Sequence, residues 1–134
     1  MKKYLAALII FLSFTANSIT VQEFINAQAI IDSPTKRKTP PDDSEQQAIL
    51  TLKNLLNTRI SGIAEGILAT NQLYDIRTGN QLLCVKSIDT DELIKGLTYL
   101  WDESSKEMRL SIAEANLSTY IVAYLENKYK CVKA

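Results

Sequence analysis

The 134-residue chain contains no histidine. That removes the commonest general acid/base, the commonest metal ligand and every Ser/His or Cys/His catalytic arrangement. Glycine is scarce, with four residues, and none forms a Gly-rich loop after a strand of the kind that cradles a phosphate. All three prolines lie between Pro34 and Pro41, so the rest of the chain is free of helix breakers. Neither charge sign is in excess: 15 basic residues face 15 acidic ones. Bulk charge therefore attracts neither nucleic acid nor an anionic membrane. These absences predict a protein that is not an enzyme and uses no metal or cofactor.

What is present begins with a leader. Met1-Lys2-Lys3 is a positive n-region, Leu5 to Phe14 is almost purely apolar, and Ala16-Asn17-Ser18 places small residues at a cleavage site after Ser18. The apolar run is too short to cross a bilayer, which needs about 20 residues. The expectation is a signal peptide over 1–18, export to the periplasm, and no membrane attachment after cleavage. Without Lys2 and Lys3 the balance is 13 basic to 15 acidic, a formal charge of −2.

Cys84 and Cys131 are the only cysteines. In an oxidising compartment they are best paired with each other, two reduced thiols being the alternative. In the chain-entropy model, closing a loop of that length constrains the unfolded chain by about 4 kcal/mol.

The remaining pattern is helical. Thr20-Val21-Gln22-Glu23 has the form of a capping box, opening a short helix to about Ile31. Residues 32–43, with Lys36-Arg37-Lys38 and the prolines, read as a mobile linker. From Asp43 or Ser44 a long helix carries Ile49, Leu52, Leu56, Ile60, Ile63 and Ile67 at steps of three and four, to about Thr70. Gly62 and Gly66 within it predict a close helix crossing. Asn71 to Asn80 breaks the pattern and reads as a loop, the leading candidate for a contact surface. Gln81 to Val85 reads as an extended or short helical connector, for want of a partner strand. Asp89-Thr90-Asp91-Glu92 opens the next helix, with Leu93, Ile94, Leu97, Leu100 and Trp101 as its apolar face. One final helix is expected from Ser104 or Ser105 to about Tyr129, with Tyr120, Tyr124 and Tyr129 in the core, which puts Asn116-Leu117-Ser118 in mid-helix. The predicted fold is an all-α bundle of about four helices stapled by one disulfide. Its organisation is a leader over 1–18, a short helix and linker over 19–43, and a helical domain over 44–134.

Over Ile60 to Cys131 the chain resembles the Rap/Tai family of type VI secretion immunity proteins. The matching features are Gly62 and Gly66 four apart, Cys84, Thr90 with Leu93, Tyr99-Leu100-Trp101, and Tyr129-Lys130-Cys131. It departs at Lys86 and Lys130, where that family often has proline. The resemblance implies a periplasmic antitoxin that binds a toxic effector, a cell-wall amidase in the Tai branch, and occludes its cleft. It also implies a homodimer, for which the alanine-rich last helix would serve either the interface or the monomer's own core. The anchors expected from breaks in the amphipathic pattern are Tyr74, Asp75 and Arg77, with Trp101 and Glu103 second. The rival reading is a small periplasmic acid-resistance chaperone, also helical, exported and closed by one disulfide.

Overall fold

The computed structural model describes residues 19–131, and the expected leader lies outside them. Five α-helices and one 3₁₀ turn fill this range: α1 (Val21–Asp32), the turn Ser33–Lys36, α2 (Asp43–Thr78), α3 (Thr90–Glu103), α4 (Lys106–Ile112) and α5 (Leu117–Tyr129). No strand forms among the described residues; two isolated bridges, Thr20 with Asn116 and Leu83 with Lys130, are the only extended pairings. The all-α reading therefore holds, with the disulfide Cys84–Cys131 formed at a Cα separation of 5.0 Å.

Each helix starts where a side chain satisfies its free N–H groups. Thr20 and Glu23 close the capping box: the Glu23 N–H donates to Thr20 Oγ1 at 3.2 Å, and the Thr20 N–H to Glu23 Oε2 at 2.7 Å. Asp42, Asp89 and Ser105 accept from the third residue of α2, α3 and α4. The linker is partly structured, since Pro34 sits in the 3₁₀ turn and Arg37 pairs with Glu45 at 3.2 Å.

α2, at about 1.5 Å per residue, is roughly 54 Å long and forms the spine. Leu52, Leu56, Ile60 and Ala64 give it a buried row against α1, α3 and α5. α1 contributes Val21, Phe24 and Ala27 to the same core, so the short N-terminal helix belongs to the bundle rather than standing before it. Its entry is fixed by backbone bonds: Val21 N–H to Ala115 O at 2.9 Å, Gln22 N–H to Ala113 O at 3.0 Å, and Leu117 N–H to Ile19 O at 2.8 Å. Leu97, Leu117, Ile121 and Leu125 complete the interior, each fully buried and contributing about 1.5–3 kcal/mol on burial.

Two expectations about the helices are corrected. The last helix is two, because Asn116 takes an N-cap conformation and its side chain accepts from the Ser118 N–H at 2.9 Å. Asn116-Leu117-Ser118 thus opens α5 instead of lying mid-helix. The close crossing predicted at Gly62 and Gly66 is absent: both are exposed, and nothing lies within 4 Å of where a Cβ would stand. The close approach is at Gly96 on α3, where a Cβ would collide with the Tyr124 hydroxyl of α5. Tyr120, beside it on α5, is buried and donates to Leu97 O at 3.2 Å, and burial pushes its pKa up to about 12.

These placements give two expected outcomes. Gly62→Ala and Gly66→Ala should each stabilise the fold by about 0.5–1 kcal/mol in urea unfolding, whereas Gly96→Ala should destabilise it by about 1 kcal/mol or more. Tyr124→Leu should relieve the Gly96→Ala cost non-additively. Because the folded Tyr120 keeps its proton above the ordinary tyrosine range, its contribution is complete below pH 10 and is lost as pH rises toward about 12. Tyr120→Phe should weaken that alkaline fall in a pH series of unfolding curves.

Candidate partner-binding site

The segment expected as a loop is the last two turns of α2. Its sequence looks irregular because Asn71 occupies a core-facing position, seven residues after Ala64, where an apolar residue would continue the stripe. Asn71 is buried, and the returning chain satisfies it completely enough to keep the helix intact. Its Oδ1 accepts from the N–H groups of Leu82 at 3.0 Å and Leu83 at 2.9 Å, while its Nδ2 donates to Leu83 O at 2.9 Å. The side-chain amide thus acts as a strand edge for residues 82–83. Termination comes later, at Gly79 in the left-handed conformation (φ 69°), whose N–H bonds Asp75 O at 2.7 Å.

The other edge of the connector faces the C-terminus. Leu83 pairs with Lys130, and the Cys84 N–H donates to Tyr129 O at 2.8 Å. The disulfide closes this arrangement one residue beyond the bridge on each side. Leu83, buried beneath, joins the connector to the core. The partner for the extended segment was therefore a single residue next to Cys131, invisible as a strand.

This clamp presents a set of apolar side chains to solvent. Leu73 is 55% exposed, Tyr74 40%, Ile76 73% and Leu82 49%. Leu73 and Ile76 continue the outer face of α2 that carries Gly62, Gly66 and Ala69, at steps of four, three, four and three. Arg77 is exposed in the last turn, and Asp75 is half-buried, accepting from Gln81 Nε2 at 3.2 Å. Alongside runs a cleft of about 510 Å³ lined by Glu65, Asn71, Gln72, Asp75, Gln81 and Lys86.

Tyr74 and Arg77, three residues apart on a helix, share its exposed side, whereas Asp75 turns away toward Gln81 and the cleft. Trp101 and Glu103 belong to a separate place, the end of α3. Glu103 is exposed there, whereas Trp101 is buried and cannot be a surface anchor. Its ring lies under the Arg109 guanidinium at 5.9 Å, and Arg109 Nε donates to Trp101 O at 2.9 Å, tying α4 to the end of α3. Leu73, Ile76 and Leu82 were missed as site residues; for Leu73 and Ile76 the signal was their continuation of the three-and-four spacing on the face opposite the core, and Leu82, in the connector, carried no such signal. Among the described residues no group of three His, Cys, Asp or Glu could hold a metal, and no helix is long and apolar enough to cross a membrane.

Compared with protein-family models, curated proteins and solved structures, the chain matches none.

Asn71→Ala should cost about 2–4 kcal/mol, because it strands two N–H groups and a carbonyl in a buried position. Hydrogen exchange should show Leu82 and Leu83 losing protection first, with the amides of α3 least affected.

Proposed function

We propose that this protein is a periplasmic immunity protein that occludes a toxic cell-wall hydrolase, most simply a peptidoglycan amidase, through the end of α2. The observation that carries the reading is the exposed cluster Leu73, Tyr74, Ile76 and Leu82, held rigid by the Asn71 clamp and the disulfide. Exposed large apolar groups on a preorganised scaffold are what a tight protein partner needs, since little ordering entropy opposes binding. The disulfide fits an oxidising compartment. The likeness to Rap/Tai immunity proteins over Ile60 to Cys131 supplies the partner class. Occlusion demands shape and a few anchors, and so is compatible with a chain lacking histidine.

The test is neutralisation. The exported, tagged protein should capture one stoichiometric hydrolase from its native host and abolish that enzyme's activity on purified peptidoglycan. Alanine at Leu73, Tyr74, Ile76 and Arg77 together should weaken binding by about 100-fold or more while thermal stability holds, because all four are exposed. Many substoichiometric partners that increase at acid pH would instead favour the chaperone.

A further inference from the structure

A second concavity, sharing no residue with the proposed occlusion surface, lies where α1, α2 and α3 diverge. It has a volume of about 580 Å³, within the range of ligand sites. Its apolar lining comes from Ile31 and Ile94, and its walls carry charges of both signs.

The α2 wall departs from the helix pattern. Lys53 occupies the row of Ile60, Ala64 and Asn71, at intervals of seven, four and seven, and those three are buried. Lys53 itself is exposed, because this end of the row opens into the cleft instead of the core. Asn57, one turn on, lines the same cleft.

The α3 wall carries Asp91, Lys95, Thr98 and Asp102 at steps of four, three and four, a single row along the helix. The two aspartates are thus about 16 Å apart along the axis, with Lys95 between them. Asp102 stands in the last turn of α3, where the Arg109 guanidinium donates to the backbone carbonyls of Trp101 and Asp102. None of Lys53, Lys95, Asp91 and Asp102 makes an ion pair among the described residues. Lys53 from α2 and Lys95 from α3 thus bring two ammonium groups to the cleft, Asp91 and Asp102 flank Lys95 along α3, and Asp32 of α1, whose carboxylate accepts from Gln28 Nε2 at 3.2 Å, adds a third carboxylate.

We propose that this cleft binds a short extended peptide in which one carboxylate is flanked on both sides by cations. Lys53 and Lys95 would clamp the central carboxylate, Asp91 and Asp102 would take the flanking cations, and Asn57 and Thr98 offer hydrogen bonds to the peptide backbone. An extended pentapeptide spans about 13 Å between its terminal Cα atoms, and two lysine side chains cover the remainder.

Three capped peptides test this by amide chemical-shift titration of the whole protein: Lys-Ala-Glu-Ala-Lys, its pattern-reversed form Glu-Ala-Lys-Ala-Glu, and Lys-Ala-Ala-Ala-Lys. The first should bind most tightly, shifting amides around Lys53–Asn57 and Asp91–Asp102, and the reversed peptide should not bind. Lys53→Ala and Lys95→Ala, both exposed positions, should each weaken binding about tenfold without lowering the thermal midpoint. Attraction by net charge alone would rank the all-cationic peptide first. That order, shifts mapping outside the cleft, or concentration-dependent broadening of the same amides without peptide would overturn the proposal, the last by making the cleft a self-interface.

Discussion

Asn71 is where three otherwise separate parts of the chain meet. Its side-chain amide holds the connector after α2, the connector pairs with the end of α5, and the disulfide fixes that pairing. A buried amide is costly unless satisfied, but here each bond it makes also satisfies a backbone group that would otherwise be orphaned. The disulfide and the amide do different work. The covalent bond constrains the unfolded chain, while the amide specifies which turn of α2 the connector crosses. Leu83, buried at the crossing, couples both to the core.

Much of this architecture was legible in the sequence because it rests on local rules. The capping box at Thr20, the start of α3 and the buried row of α2 follow from side-chain chemistry at fixed offsets, and the structure keeps them. The misreadings arise at single side chains whose partners helical periodicity does not reveal. Asn71 looked like a break because the backbone groups that satisfy it lie 11 and 12 residues on. Asn116 was read through because helical periodicity continues across it, although its side chain caps a new start. Trp101 looked like a surface anchor in a connecting stretch, but it is buried in the hydrophobic core cluster, with Arg109 over its ring.

The glycines carry the same lesson from the opposite side. Gly62 and Gly66 have the spacing of a helix crossing, yet their face is bare, and the true close approach uses a single glycine, Gly96, beneath Tyr124. Spacing reports that small residues recur; it does not report which helix lies opposite. Within α2 the two glycines instead lower the profile of an outer face that ends in exposed Leu73 and Ile76. Leaving helix-weakening residues in an exposed interior costs near 1 kcal/mol each, an expense the fold itself does not require.

That cost bears on how α2 works as a unit. A 36-residue helix whose inner face is packed over Leu52 to Ala64 extends nearly four further turns past its last buried aliphatic residue, held midway along that extension by Asn71. An isolated helix terminus with exposed leucine, tyrosine and isoleucine would fray, because propagation alone is marginal in water. Anchoring it through Asn71 ties the exposed end to the disulfide-closed region, so the backbone over positions 73 to 77 is held in the helix. Loss of the clamp would therefore be felt at the exposed end as conformational freedom to be removed on binding, even where every contacting side chain is unchanged.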